Sequence, residues 1–283
     1  MRSGGKLHRR IGSAPVAARV VIFLGLLLVV WAPLAFLVQG IGALLGQAQT
    51  ASTIALVLLY GCFVGNAWWW GYWLHSWQRP FLAYGLVFDR HFLVDALIAL
   101  LCGFGLVAFL FGGQILLGWA SFYPRSLWGI ALEGLAVAIG VGFAEELLFR
   151  GWLLAELQTS LSRLGALIWS SLIFAVAHFI KPLPDVLQTS PQFLGLLLLG
   201  LLLAAGRSSR VQPARLVSLS WPMGLHAGLV WGYYIVDVAD LVLPSGRVPE
   251  WVTGIHGNPL AGLLGVTILG GLTVMALTTL RSK

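Results

Sequence analysis

Long apolar runs, separated by short polar or basic stretches, follow one another along the whole chain. Residues 20–38 carry no charge, and comparable runs occupy 54–73, 96–117, 127–154, 164–180, 188–205, 216–236 and 260–280. Runs of this length match the roughly 20 residues that a helix needs to cross a bilayer, so the pattern predicts about eight transmembrane helices. The first run is too long for the core of a cleaved signal peptide and reads as a span. The sixth is the weakest, since its strictly apolar part is only 193–205, and a re-entrant segment also fits there. The fourth is longer than a crossing requires and should extend beyond the hydrocarbon.

Composition narrows the class. The 283 residues are 59% hydrophobic and only 10% charged, with a mean hydropathy of +0.90; soluble domains carry about 25% charged residues. The expected fold class is therefore all-α, a polytopic membrane bundle. The net charge of +7 comes with no basic groove or RNA-binding motif, so a nucleic-acid partner is not expected. Its distribution explains it better. With the N-terminus inside, Arg2, Lys6, Arg9, Arg10, Arg19, Arg79, Arg90, Arg163, Arg207, Arg210, Arg215, Arg281 and Lys283 fall on the inner side, and only Arg125, Lys181 and Arg247 on the outer side. This bias predicts a multi-pass protein of the cell membrane with both termini cytoplasmic. Cys62 and Cys102 lie in apolar runs without ligand-like spacing and read as buried free thiols.

The boundaries expected on this basis are a basic cytoplasmic N-terminus (1–19), a three-helix membrane part (20–126), a core (127–236), and an outer loop with the last helix (237–283). The aromatic cluster Trp68, Trp69, Trp70, Tyr72 and Trp73 reads as interfacial anchoring.

Candidate chemistry concentrates in the core. Glu145, Glu146 and Arg150 interrupt the fourth run, and an ionisable group at a helix centre costs roughly 2.5–3.5 kcal/mol on insertion scales. Glu146 and Arg150 are four apart on a helix and can pair. Glu145 lies about 100° round the helix and needs another partner. His178 and His226 also sit inside spans. From the run boundaries, Glu145, His178 and His226 lie roughly 16, 21 and 15 Å from the inner end of their helices at about 1.5 Å per residue. One glutamate and two histidines in one slab can activate water and steady an oxyanion. The same set is also a zinc shell with an open position, so one divalent metal ion is left open here. His8, His75 and His91 read as inner-surface residues, His256 as an outer-loop residue, and Glu133 as structural.

At these residues the sequence resembles the CAAX protease and bacteriocin-processing family, the Abi-type intramembrane proteases related to the eukaryotic CAAX prenyl endopeptidase. Glu145-Glu146-Leu147-Leu148-Phe149-Arg150 matches the family's Glu-Glu-x-x-x-Arg, and Phe174 to His178 its Phe-x-x-x-His. The third motif is His followed four residues later by Asn or Asp; His226 matches it, but Val230 stands at the later position. The resemblance implies an endopeptidase with Glu145 as general base, His178 and His226 binding the water, oxyanion or metal, and Glu146, Arg150 and Phe174 in support. It implies a peptide or protein substrate near the bilayer, with prenylated substrates known from the eukaryotic branch, and a cavity expected to open towards the cytoplasm. Gly-x-Ser-x-Gly, His-Glu-x-x-His and Gly-x-Gly-Asp are absent, which argues against serine, site-2 zinc and aspartyl intramembrane proteases. Two alternatives remain: a non-catalytic membrane protein of the same fold with an immunity or assembly role, favoured by Val230, and a proton-coupled transporter. Neither internal repeats nor paired broken helices support the transporter.

Overall fold

The structure, a computed structural model, describes residues 5–208 and 218–281. The expected start of the seventh run at Leu216 and the basic residues Arg2, Arg210, Arg215 and Lys283 lie outside the described residues. Each of the other apolar runs becomes a helix. Among the described residues, four helices are long and apolar enough to cross a membrane: Val16–Leu44, Ala48–Leu74, Arg90–Leu116 and the stretch Leu183–Arg207. The remaining apolar runs also form helices, but shorter or more polar ones.

The chain divides into two compact units, residues 1–83 with 155–160, and residues 84–154 with 161–283. In the first, α1 (Lys6–Gly12) precedes a hairpin of α2 (Val16–Leu44) and α3 (Ala48–Leu74), and α4 (Pro80–Ala83) follows. The turn after α2 is tight: Gly46 takes a positive φ of 67°, and Gly42 lies so close to Ala51 that an added Cβ would stand 2.3 Å from the Ala51 side chain. The polar heart of this unit is Glu156, which is 1% exposed. It accepts hydrogen bonds from Arg19 Nε at 2.5 Å and Trp70 Nε1 at 3.0 Å, and pairs with His75 Nε2 at 2.7 Å. Arg19 also donates to the Thr159 hydroxyl. Burial pushes the Glu156 carboxyl up, but His75, Trp70 and Arg19 outweigh it and hold the group below its ordinary value. His75 and Trp70 are thus not the surface and belt residues their positions suggest. Trp68 and Trp69, which stack on Tyr72 and Trp73, remain outward-facing.

The second unit holds α5 (Arg90–Leu116), α6 (Trp128–Glu146), a π-helical segment (Leu147–Leu153), α8 (Arg163–Ala177), α9 (Leu183–Thr189), α10 (Phe193–Ser208), α11 (Ser220–Val238), α12 (Glu250–Thr253) and α13 (Leu263–Arg281). The π segment runs into α7 (Leu154–Gln158), whose first residue ends the first of this unit's two stretches. Two three-residue strands, β1 (Ala120–Phe122) and β2 (Val242–Pro244), pair antiparallel with Ser121 opposite Leu243. They tie the loop after α5 to the loop after α11 at one end of the unit, the exception among the described residues to an all-helical architecture.

The expected three-helix N-terminal part does not hold together: α5 belongs to the core unit. The reason is a ladder of small residues that lets the α5 and α11 backbones touch. A Cβ on Gly224 or Gly228 would fall 2.0 Å from the carbonyl oxygen of Ala96 or Leu100, and one on Gly103 would fall 2.4 Å from that of Leu225. Small residues four apart support such approach in apolar surroundings. Gly228→Leu should therefore cost at least about 3 kcal/mol, the upper range for overpacking, because backbone rather than a flexible side chain stands in the way. A fall in the melting temperature of the detergent-solubilised protein would measure it; an unchanged melt would contradict the contact. Cys102, expected to be buried, is exposed on α5.

Candidate active site

The site is assembled from the C-terminal end of α6, the C-terminal end of α8 and the middle of α11. Gly142 brings α6 against α11, since an added Cβ there would stand 2.9 Å from the Met223 carbonyl oxygen. Glu145 and Glu146 are the last residues of α6 before the backbone widens into the π segment. π turns inside α-helices are rare and cluster at functional sites. No signal in the apolar pattern of 147–153 foretells this one.

Glu146 is fully buried and receives two donors on one oxygen. Arg150 Nη1 donates to Oε1 at 2.7 Å, and His226 Nδ1 meets the same atom at 2.8 Å. The pairing of Glu146 with Arg150 is as the i, i+4 spacing predicts; the histidine is an addition. Arg150, 0% exposed, also donates from Nη2 to the Gly200 carbonyl at 3.2 Å. Its guanidinium lies 4.2 Å from the centre of the Phe174 ring, close enough for cation–π attraction. Phe174 is the wedge of the site: its ring centre is 4.6 Å from that of His178 and 6.2 Å from that of His226.

Glu145 points elsewhere, as its 100° offset requires. Its Oε2 faces His178 Nε2 at 4.0 Å, with the two side chains 25% and 33% exposed. That atom is buried and has no hydrogen-bond partner among the described residues. The tautomer of His178 follows from its other nitrogen. Nδ1 is 2.8 Å from the Phe174 carbonyl oxygen, which can only accept, so Nδ1 carries the proton and Nε2 of the neutral ring presents a lone pair towards Glu145. By the same logic, His226 donates Nδ1–H to Glu146 and keeps Nε2 for the cavity.

Glu145, Phe174, His178 and His226 all line one cavity of about 320 Å³. Val230 lines it too, one turn beyond His226, and so does Asn258 from the loop before α13. The fold brings Asn258 to the cavity wall, with its Oδ1 accepting from the Leu260 amide at 2.9 Å. Gln192 and Tyr233 complete the polar lining, and only their helical neighbours could have signalled them. Glu133, further along α6, hydrogen-bonds Tyr234.

The lining runs from Glu145 to Asn258 and Pro259, towards the end of the unit where β1 and β2 pair. Among the described residues, no group of three His, Cys, Asp or Glu side chains is gathered closely enough to hold a metal. The cause is visible: His226 is turned to Glu146, and only Glu145 and His178 approach each other. In this arrangement the residues do not fit a preassembled three-ligand zinc shell.

Fold and site together define a helical membrane protein with one half-buried and one buried carboxylate–histidine pair, both histidines lining one cavity. Residues 128–232 match the family model described as Type II CAAX prenyl endopeptidase Rce1-like. The matched segment carries Glu145, Glu146, Arg150, Phe174, His178 and His226 and is similar to that family of CAAX prenyl endopeptidases. No curated protein and no solved structure matches the chain.

Proposed function

We propose that the protein is an intramembrane endopeptidase that hydrolyses a peptide bond with water activated by Glu145. Eight spans with both termini in the cytoplasm form its frame in the cell membrane. The observation that carries this reading is the buried, unpartnered Oε2 of Glu145 facing the lone pair of His178 Nε2 across 4.0 Å. Two hydrogen bonds of about 2.8 Å drawn across such a gap subtend roughly 90° at a shared water oxygen, near the angle at which water offers its two protons. Both groups accept, so the water would donate to each and keep its lone pairs for the substrate carbonyl. Attack forms the carbon–oxygen bond while the water's proton passes to Glu145. The tetrahedral oxyanion is met by His226: with both ring nitrogens protonated it donates Nδ1–H to Glu146 and Nε2–H to the oxygen. Glu145 then returns the proton to the amide nitrogen as the carbon–nitrogen bond breaks.

The test is cleavage of a peptide library by the purified protein in lipid, beside a Glu145→Ala control. Cleavage lost with Glu145 supports the reading, and cleavage that survives in the control overturns it. Inhibition by chelator, restored by zinc, would require Glu145, His178 and His226 to close on a metal. The non-catalytic alternative rests on Val230, which cannot donate from its side chain. Loss of one oxyanion donor costs on the order of 10²–10³ in rate in a well-studied protease. Val230→Asn should accordingly raise kcat. An unchanged kcat would show that Asn258 already fills the role.

A further inference from the structure

We infer that the substrate reaches this site from the extracytoplasmic side, as an apolar peptide segment exposed beyond the cytoplasm. The inference rests on the peptidase reading for what enters, and on independent observations for where it enters.

The two ends of the core unit differ in packing. At the floor of the cavity His226 is 4% exposed and Phe174 0%. Beyond that floor, towards the end where α5 begins, the interior is filled by Leu147, Arg150, Trp152, Leu203 and Leu219, each 1% exposed or less. In the other direction the lining residues become half-buried, through Val230 and Tyr233 on α11 to Gln192 before α10 and Asn258 before α13. These last are loop or helix-start positions at the β1–β2 end. The mouth is therefore at that end.

The two ends differ also in charge. Arg90, Arg163, Arg207 and Arg281 lie where α5 begins, α8 begins, α10 finishes and α13 finishes. The mouth end carries Arg125, Lys181 and Arg247 against Asp185, Asp237, Asp240 and Glu250. Basic residues mark the cytoplasmic face of membrane proteins, while acidic residues contribute little to orientation. The basic end is the closed end, so the open end faces away from the cytoplasm. The walls between mouth and floor are Val107, Leu110 and Phe111 of α5, Leu196 and Leu199 of α10, and Ile268 of α13. A predominantly apolar wall with a few convergent polar groups selects apolar side chains flanking the bond to be cut.

The experiment uses the full-length protein in bacterial membranes, with Cys62→Ala and Cys102→Ala as background. Gln192→Cys reports on the mouth and Arg90→Cys, which is exposed where α5 begins, on the opposite end. A membrane-impermeant sulfonated maleimide is applied to intact spheroplasts and to sealed inverted vesicles. Gln192→Cys should label in spheroplasts and lose that labelling in inverted vesicles, with Arg90→Cys showing the reverse. The opposite pattern, or a Gln192→Cys that reacts only after denaturation, overturns the inference. In a second arm, an apolar peptide is offered to spheroplasts or to inverted vesicles, with Glu145→Gln as control. Cleavage confined to spheroplasts supports the route, and cleavage confined to inverted vesicles overturns it. Expected labelling with no cleavage from either face would overturn the peptidase reading and the substrate class, and leave the position of the mouth standing.

Discussion

Glu145→Gln should abolish peptide cleavage while leaving the protein folded in the membrane. The substitution keeps the shape of the side chain and removes its ability to take a proton. A positioned general base contributes about 10²–10⁴ in rate, so kcat should fall by at least that factor. Folding should be spared because Oε2 of Glu145 has no hydrogen-bond partner among the described residues to lose. Turnover of a confirmed substrate, measured beside the melting temperature of both proteins, decides the matter. Wild-type turnover would remove Glu145 from the mechanism, and a collapsed melt would assign it a structural role instead.

Arg150→Met should do the opposite first: it should cost folded protein. Glu146 is buried, and removing one partner of a buried ion pair costs about 3–5 kcal/mol, since the remaining charge is left without compensation. The double substitution Glu146→Leu with Arg150→Met should recover much of that loss, because apolar residues replace a buried pair with little penalty. Activity should not return with stability. His226 depends on Glu146 Oε1 at 2.8 Å for its orientation, and a leucine there cannot accept. Melting temperature and kcat measured on the single and double variants separate the two effects. A double variant that regained turnover would show that Glu146 serves stability alone.

Much of this arrangement was legible in the sequence because membrane depth makes charge conspicuous. The apolar runs lie where the helices lie, and Glu146 with Arg150 pairs as its spacing predicts. Glu145, His178 and His226 share a cavity wall, in keeping with three similar depths. The partnership of His226 with Glu146 was not legible, since depth alone gives no rotation and the two glutamates differ only by 100°. The π segment was not legible because it depends on which carbonyls find partners: Ser170 donates to the Phe149 carbonyl at 2.9 Å, a contact between helices. The burial of Glu156 and the attachment of α5 to the core were hidden for a related reason. Both arise from packing between distant segments, where Arg19 and the α11 glycines act on residues far away in the chain.

The sharing of Glu146 between Arg150 and His226 has an electrical consequence for the proposed reaction. Arg150 cancels the charge of Glu146, and with His178 neutral the doubly protonated His226 balances the base form of Glu145. When Glu145 takes the proton of water, its negative charge disappears there and reappears on the tetrahedral oxygen a few ångströms away. The total is unchanged throughout the step. In an apolar setting, where creating a new charge is expensive, the site needs only to relocate one it already holds. The fixed Arg150–Glu146–His226 chain is a stationary dipole towards which that charge can move.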